Sequence, residues 1–166
     1  MKTIYLFTIL NLITLRIGAQ KSFILKEVIT KDLHQQFEKS NGQMNIILSY
    51  FEKNYKAVSE KLNVLIDEEM GGVECGYTKK FEFGIEYTYH NCGEAQPVKE
   101  RIILPKVTMT ELRKWIEHIN DAYPMDIKNI LYEVGNEYGP EDKEAGCYYN
   151  ILPSAKNSVI EVWCGS

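Results

Sequence analysis

Three histidines are the residues with which this sequence could carry out acid–base chemistry. His118 follows Glu117 in a helical pattern, but adjacent helical positions point about 100° apart, so the two do not form a dyad. His34 lies near Asp32 in a segment whose helical pattern is short. These two histidines therefore predict no catalytic pair.

His90 belongs to a row of polar side chains. Residues 81–89 alternate between apolar and polar, and Glu86 and Thr88 fall on the same side of the predicted strand as His90. Such a row could exchange protons, but it is also typical of any solvated strand face. The sequence contains no GxSxG motif and its cysteines are expected to be oxidised, so it predicts neither a serine nor a cysteine nucleophile. A small enzyme that uses His90 with a carboxylate is one alternative; we name no catalytic residue.

A predicted acidic loop, residues 135–144, with tyrosines in and beside it, favours protein binding. It lacks the ligand spacing of a calcium-binding EF-hand, and the chain has no CxxC or HExxH motif for zinc, so we predict no metal and no cofactor. Carboxylates and tyrosines suit docking on a basic protein surface. The candidate binding residues are Glu137, Tyr138, Glu141, Asp142 and Glu144 in this segment, with Glu82, Glu86 and His90 on the polar strand face. The acidic cluster at 67–69 is a further candidate.

The first nineteen residues have the features of an export signal. Lys2 precedes an apolar run over 4–15 that is too short to span a bilayer, and Ala19 suits cleavage before Gln20. We predict a signal peptide over 1–19 and a single domain over 20–166, secreted or periplasmic, without a transmembrane segment in the mature chain. An uncleaved membrane anchor is the alternative. Cleavage lowers the formal charge from −4 to −6, which argues against nucleic acid and permits a basic partner.

Four cysteines in the exported part predict two disulfides. If Cys147 faces Cys164 in an antiparallel hairpin, the next facing pairs, at 149 with 162 and 151 with 160, are also apolar. This consistency favours a bridge between Cys147 and Cys164. A bridge between Cys75 and Cys92 follows by elimination.

A single amphipathic helix is predicted over 43–70. Ser40 and Gln43 resemble a capping box, Gly71 and Gly72 would end the helix, and the apolar residues follow at steps of three or four. This stripe consists of Met44, Ile47, Phe51, Tyr55, Val58, Leu62 and Leu65. The free energy gained by burying this stripe does not offset the conformational entropy lost when so long a backbone is ordered, so the helix needs a partner surface.

The remaining pattern predicts short strands and one more helix. We expect a strand near 22–29, a helical turn capped by Thr30, and a hairpin formed by 81–89 and 98–104. A capping box at Thr108 and Glu111 opens a second amphipathic helix; strands follow at 130–134, 146–152 and 159–164. The expected fold class is α+β: an antiparallel sheet of about five strands, with a long amphipathic helix on one face and a second, shorter helix.

Composition and layout, rather than any motif, favour one functional class. Small, acidic, exported, disulfide-linked α+β domains resemble, at class level only, secreted or periplasmic inhibitor and immunity proteins. The leading hypothesis is therefore a protein-binding module that blocks a basic partner such as a toxin or hydrolase. A small-ligand carrier, with a cavity between helix and sheet, is the second alternative beside the enzyme.

Overall fold

The computed structural model describes residues 23–93, 97–123, 131–134, 137–140 and 145–165. The predicted export signal lies outside these residues. No helix within the described ranges is long and apolar enough to cross a membrane.

Three α-helices and eight β-strands make up the described part of the chain. In chain order they are α1 (Thr30–Lys39), α2 (Ile46–Asn54), β1 (Leu62–Asp67), β2 (Val73–Phe81), β3 (Ile85–His90), β4 (Val98–Pro105), α3 (Met109–Asn120), β5 (Leu131–Val134), β6 (Glu137–Pro140), β7 (Gly146–Leu152) and β8 (Asn157–Gly165). The α+β class is confirmed. The sheet, however, has more strands than the five or so that the sequence predicts.

The strands form one antiparallel sheet in the order β1-β2-β3-β4-β8-β7-β6-β5. Strands β1 to β4 form one meander and β5 to β8 a second, and a helix precedes each meander in the chain. The two meanders join where β4 pairs with β8 along eight facing residues, from Val98 opposite Cys164 to Pro105 opposite Asn157. The innermost strand of each meander is thus its last one.

The long helix predicted over 43–70 is wrong. Helix α2 ends at Asn54, and residues from Leu62 onward form β1. The start of the predicted stripe is buried, with Phe51 fully enclosed, whereas Val58 and Leu65 near its end are 60% and 45% exposed. The apolar spacing therefore runs across a helix and a strand that bury different surfaces.

Long-range hydrogen bonds explain why the helix stops. Tyr55 leaves α2 with extended backbone, and its hydroxyl accepts a hydrogen bond from the backbone N–H of Lys26 and donates one to the carbonyl of Ile24. The chain then runs beside β2, where the N–H of Val58 donates to the carbonyl of Lys80 at 2.9 Å. The Val58 N–H thus binds a strand carbonyl instead of a helical one, the Tyr55 hydroxyl is fixed to the segment before α1, and none of these partners is local in sequence.

The predicted ends of α1 and α2 also differ from those in the structure. Asn45, not Ser40, caps α2, because its side chain accepts a hydrogen bond from the N–H of Leu48 at 2.7 Å. Residues 23–29 form no strand, and Thr30 is not a cap: its hydroxyl donates to the carbonyl of His118 in α3. Gly71 and Gly72, expected to end a helix, lie with positive φ in the turn between β1 and β2.

Residues 81–89 are not one strand. Phe81 ends β2, a short 3₁₀ turn over Glu82–Gly84 reverses the chain, and Ile85 begins β3. Phe83 has a φ of 63° in this turn and is 40% exposed, so it does not point inward as predicted. Alternation continues through the turn, which is why the sequence pattern does not reveal it.

The described part of the acidic segment 135–144, Glu137–Pro140, forms strand β6 and not the predicted loop.

Both disulfides are present in the structure, in the pairs favoured by the sequence. Cys147 faces and bonds Cys164 across β7 and β8, and the predicted register of that hairpin is confirmed. Cys75 in β2 bonds Cys92, just beyond the end of β3. The two bridges span equal sequence intervals, yet one links the second and third strands of its meander and the other the third and fourth.

The core lies between the helices and one face of the sheet. A row of apolar residues crosses four strands in register on this face: Tyr87, Ile102, Ile160 and Ile151. Aromatic rings of α2 and α3 pack together above it, with Tyr50 and Trp115 at 5.7 Å between centroids. The predicted capping box of α3 is confirmed, and the helix buries its predicted stripe apart from Met109. Large side chains fill this layer, whereas the carrier hypothesis requires a cavity there.

Candidate functional site

The other face of the sheet, which we call the open face, carries polar and aromatic side chains in two cross-strand rows. Because successive strand residues point to opposite sides, the residues between the buried ones belong to this face. The first row is His90, Lys99, Trp163 and Tyr148; the second is Thr88, Arg101, Glu161, Asn150 and Glu137. Residues from both meanders meet here because β4 and β8 are adjacent.

An aromatic pair bridges β7 and β8 on the open face. The rings of Trp163 and Tyr148 stack in parallel, 3.9 Å apart between centroids and 5° from coplanar. Gly139 in β6 makes room for this arrangement, since a Cβ at that position would lie 2.3 Å from Cδ1 of Tyr148. A glycine is therefore required beneath the Tyr148 ring.

Ion pairs occupy two acids of the open face, Glu161 and Glu86. Arg101 binds Glu161 at 2.7 Å and Lys80 binds Glu86 at 3.0 Å. Glu86, the carboxylate predicted to lie nearest His90 on the polar strand face, thus contacts a lysine instead. Lys99, which faces His90 across β3 and β4, makes no ion pair with any residue the structure describes.

A shallow depression of about 270 Å³ lies among these side chains. It is open to solvent on one side, and its open-face lining is Thr88, His90, Lys99, Arg101, Glu161 and Trp163. It brings a histidine, a lysine and an arginine next to an indole ring. A depression of this shape is neither the deep cleft expected of an enzyme nor the enclosed cavity expected of a ligand carrier.

Exposed apolar residues lie along β1, at one edge of the sheet. Leu62, Leu65 and Ile66 are 39%, 45% and 48% exposed, and they pair with Thr78, Gly76 and Glu74 of β2. The Leu65 side chain lies over Gly76, with its Cδ1 3.0 Å from where a Cβ would stand. Because Gly76 faces His90, this apolar strip adjoins the open face.

A buried acid lies beneath the open face, on the core side of β4. Glu100 is 5% exposed, and its carboxylate accepts a hydrogen bond from Nδ2 of Asn45 at 2.9 Å. Burial raises the pKa of Glu100 to about 7, although that hydrogen bond opposes the rise. The Glu100 charge in turn helps burial to raise the pKa of the Tyr87 and Tyr149 hydroxyls. Sequence analysis missed Glu100, although its spacing from Ile102 marks it as inward-facing.

The structure brings some of the predicted binding residues together and separates others. Glu86, His90 and Glu137 share the open face. Glu82 lies in the turn before β3, where its carboxylate accepts a hydrogen bond from the N–H of Lys56. Tyr138 is 6% exposed on the core side of β6. Glu141, Asp142 and Glu144 lie outside the described residues.

The acidic cluster at 67–69 follows β1 instead of ending a helix. Asp67 accepts hydrogen bonds from the N–H groups of Met70 and Gly93, and these bonds hold its pKa below the ordinary value. Asp67 therefore joins the turn after β1 to the end of β3. This contact gives Asp67 a structural role that its sequence position does not reveal.

No metal site is apparent within the described ranges, where no three His, Cys, Asp or Glu side chains come together suitably. Comparison of the chain with protein families, curated proteins and solved structures finds no match.

Proposed function

We propose that this protein is an exported, protein-binding module of the inhibitor or immunity type, and that its partner docks on the open face and the adjoining β1 strip. The supporting observation is the strip itself, in which Leu62, Leu65 and Ile66 expose apolar surface beside the open face, the face opposite the described helices. Contiguous exposed apolar surface rimmed by polar groups is typical of protein interaction sites.

The aromatic pair adds a second contact area at the other end of the open face. Trp163 is partly exposed, and its stacking on Tyr148 holds the indole in one orientation. Tryptophan and tyrosine dominate the binding energy of many protein interfaces because they bury large area at low entropic cost. Tyr148 itself is buried, so the strip and the Trp163 ring provide the two apolar anchors, with charged residues between them.

The charge pattern suits a partner with basic groups at its rim. Glu137 is an exposed acid of the open face, and the whole chain carries a formal charge of −4. Long-range attraction of a basic toxin or hydrolase would raise its association rate. The two disulfides are typical of proteins that work in an oxidising compartment, where such partners occur.

Site-specific photo-crosslinking in the native exported fraction tests this proposal. A benzophenone amino acid is placed at position 65 in β1, at position 163 in the aromatic pair, or at position 109 on α3. Met109 is the matched control, because it is an apolar residue of similar exposure, 41% against 45% for Leu65, on the helical layer. We expect one shared protein adduct from positions 65 and 163 and none from position 109.

A second variant tests whether the adduct depends on the strip. Leu65→Asp should abolish crosslinking from position 163, whereas Met109→Asp should leave it unchanged, because only Leu65 adjoins the open face. Adducts that form equally from all three positions, or only from position 109, would refute docking on this face.

A further inference from the structure

We propose that the depression beside Trp163 is a binding site for a carboxylate, namely an acidic side chain of the docked protein next to an apolar or aromatic one. This inference rests on the proposed function for its partner. It also departs from the expectation of a purely basic partner, since it predicts one acidic contact at the centre of the interface.

Charge is the first argument. On a chain with a formal charge of −4, the depression brings Lys99, Arg101 and His90 together with one acid of the open face, Glu161. The second acid of its lining, Glu100, is 5% exposed, and its carboxylate binds Asn45 on the core side. Glu161 already binds Arg101, so Lys99 is the cation left without an ion pair among the described residues. A carboxylate that enters the depression meets the Lys99 ammonium group, which no described residue pairs, and such charge-assisted hydrogen bonds are among the stronger polar contacts.

The cross-strand register places hydrogen-bonding groups on both sides of Lys99. His90 faces it from β3 and Trp163 faces it from β8, so the three side chains lie in one row across adjacent strands. Facing side chains on neighbouring strands have Cβ atoms about 4.5 to 5.5 Å apart. A carboxylate above Lys99 is therefore also within reach of the His90 imidazole, and the group that carries it would lie against the indole.

The aromatic wall is held in place before any ligand arrives. Tyr148 stacks on one face of the Trp163 ring, and Gly139 allows Tyr148 to lie across β6. The indole therefore does not need to be ordered on binding, which reduces the entropic cost of contact. An apolar side chain beside the carboxylate gains this surface.

Size favours a side chain over a free small molecule. Pockets that enclose a drug-sized ligand are roughly 300 to 1,000 Å³ and bury most of its surface. The depression holds about 270 Å³ and is open on one side, so it covers one or two side chains of a larger body. The exposed β1 strip beyond His90 supplies adjacent surface for the rest of that body.

The two tryptophans make a direct test possible. Trp163 lines the depression and Trp115 is buried in the core, so their indole N–H signals in a ¹⁵N-labelled sample report the site and an internal control. The probes are the peptides acetyl-Ala-Phe-Asp-Ala-amide and acetyl-Ala-Phe-Asn-Ala-amide, which differ only in one charge. We expect the Asp peptide to shift the Trp163 signal saturably, the Asn peptide to bind about tenfold more weakly, and the Trp115 signal to stay in place.

Lys99→Gln should weaken binding of the Asp peptide by about tenfold and leave binding of the Asn peptide unchanged. Lys39→Gln, at an exposed lysine of α1, is the matched control and should change neither. Equal affinity for the two peptides, or a Trp163 signal that responds to neither, would overturn the inference. Sodium acetate is a further arm: if it displaces the Asp peptide at equal concentration, the site takes free carboxylates and the assignment to a protein side chain is wrong.

The outcome is separable from that of the crosslinking experiment. Shared adducts from positions 65 and 163 with no discrimination between the peptides would leave the docking surface in place and remove the carboxylate site. Discrimination between the peptides without any adduct would retain the carboxylate site and refute docking.

Discussion

Glu100 should make the folded protein less stable as pH rises through neutrality. One pKa unit corresponds to about 1.36 kcal/mol, and the pKa of Glu100 is raised from 4.5 to about 7 by burial. The ionised carboxylate therefore costs the folded state about 3 kcal/mol relative to the unfolded chain. A loss of this size is a large share of the stability of an ordinary domain.

The direction of this pH dependence follows from the number of protons bound by the folded and the unfolded states. Below about pH 4.5, the Glu100 carboxyl is mostly protonated in both states and its contribution to folding is fully present. Between about pH 4.5 and 7 the folded state binds more protons than the unfolded chain, so the free energy of unfolding falls as pH rises. Above the folded pKa of about 7 the contribution is lost.

Glu100→Gln isolates this effect. The amide is neutral, has nearly the same shape, and keeps an oxygen that can accept the hydrogen bond from Asn45. We expect the variant to match the parent protein at about pH 4.5 and to be more stable by up to about 3 kcal/mol at about pH 8. Glu117→Gln, at an exposed position of α3, is the control and should show no such pH-dependent difference.

Urea unfolding followed by tryptophan fluorescence, at a series of pH values from about 4.5 to 8, measures the difference between each variant and the parent. Subtraction removes the contributions of all groups that the proteins share. A Glu100→Gln difference that is constant across this range, or that is largest in acid, would refute the assignment of Glu100 as a buried group protonated near neutrality.

Three further outcomes are expected on stability. Phe51→Ala removes the ring that packs on Phe81 in the core and should lower the free energy of unfolding in urea by about 3 to 5 kcal/mol. A decrease below about 1 kcal/mol would mean that this face of α2 is not buried. Gly139→Ala should cost about 1 to 3 kcal/mol because its Cβ displaces the Tyr148 ring, with a change in near-ultraviolet circular dichroism; an unchanged spectrum would contradict the stacked geometry. Excess reductant should lower the melting temperature, since each bridge contributes about 3 kcal/mol in the chain-entropy model, and an unchanged melting temperature would contradict both bridges.

Local patterns predicted the elements whose partners are close in the sequence. The β7–β8 hairpin follows from facing apolar residues and a cysteine at each end, so its register could be obtained by counting. Helix α3 follows from the capping box of Thr108 and Glu111 and from its apolar stripe. In both cases the interactions that define the element lie within about twenty residues, so a local sequence pattern is sufficient to predict it.

The error over 43–70 has a different cause. Steps of three and four between apolar residues suit a helix, but the same residues can supply a buried helix face followed by an edge strand. Tyr55 ends α2 through hydrogen bonds to Ile24 and Lys26, and the chain then binds to β2 at Lys80. No window centred on the helix contains these partners, so its spacing alone could not show where it ends.

The open face could be predicted only in part. Alternation placed Glu86 and His90 on one polar strand face, but their neighbours on that face, Arg101 and Trp163, depend on which strands are adjacent. The pairing of β4 with β8 joins segments far apart in the chain and decides which side chains meet. Glu100, by contrast, was identifiable from the alternation of β4 alone, as a carboxylate at an inward position.

The position of β8 at the centre of the sheet has a consequence for how the chain reaches its native state. Until Asn157–Gly165 pair, both β4 and β7 present an unsatisfied edge, although the first seven strands have already been synthesised. Pairing across so large a sequence separation is slow, and open edges recruit other chains in the meantime. A chain held unfolded until its last strand arrives, by a chaperone or by passage through an export channel, would avoid that interval of aggregation.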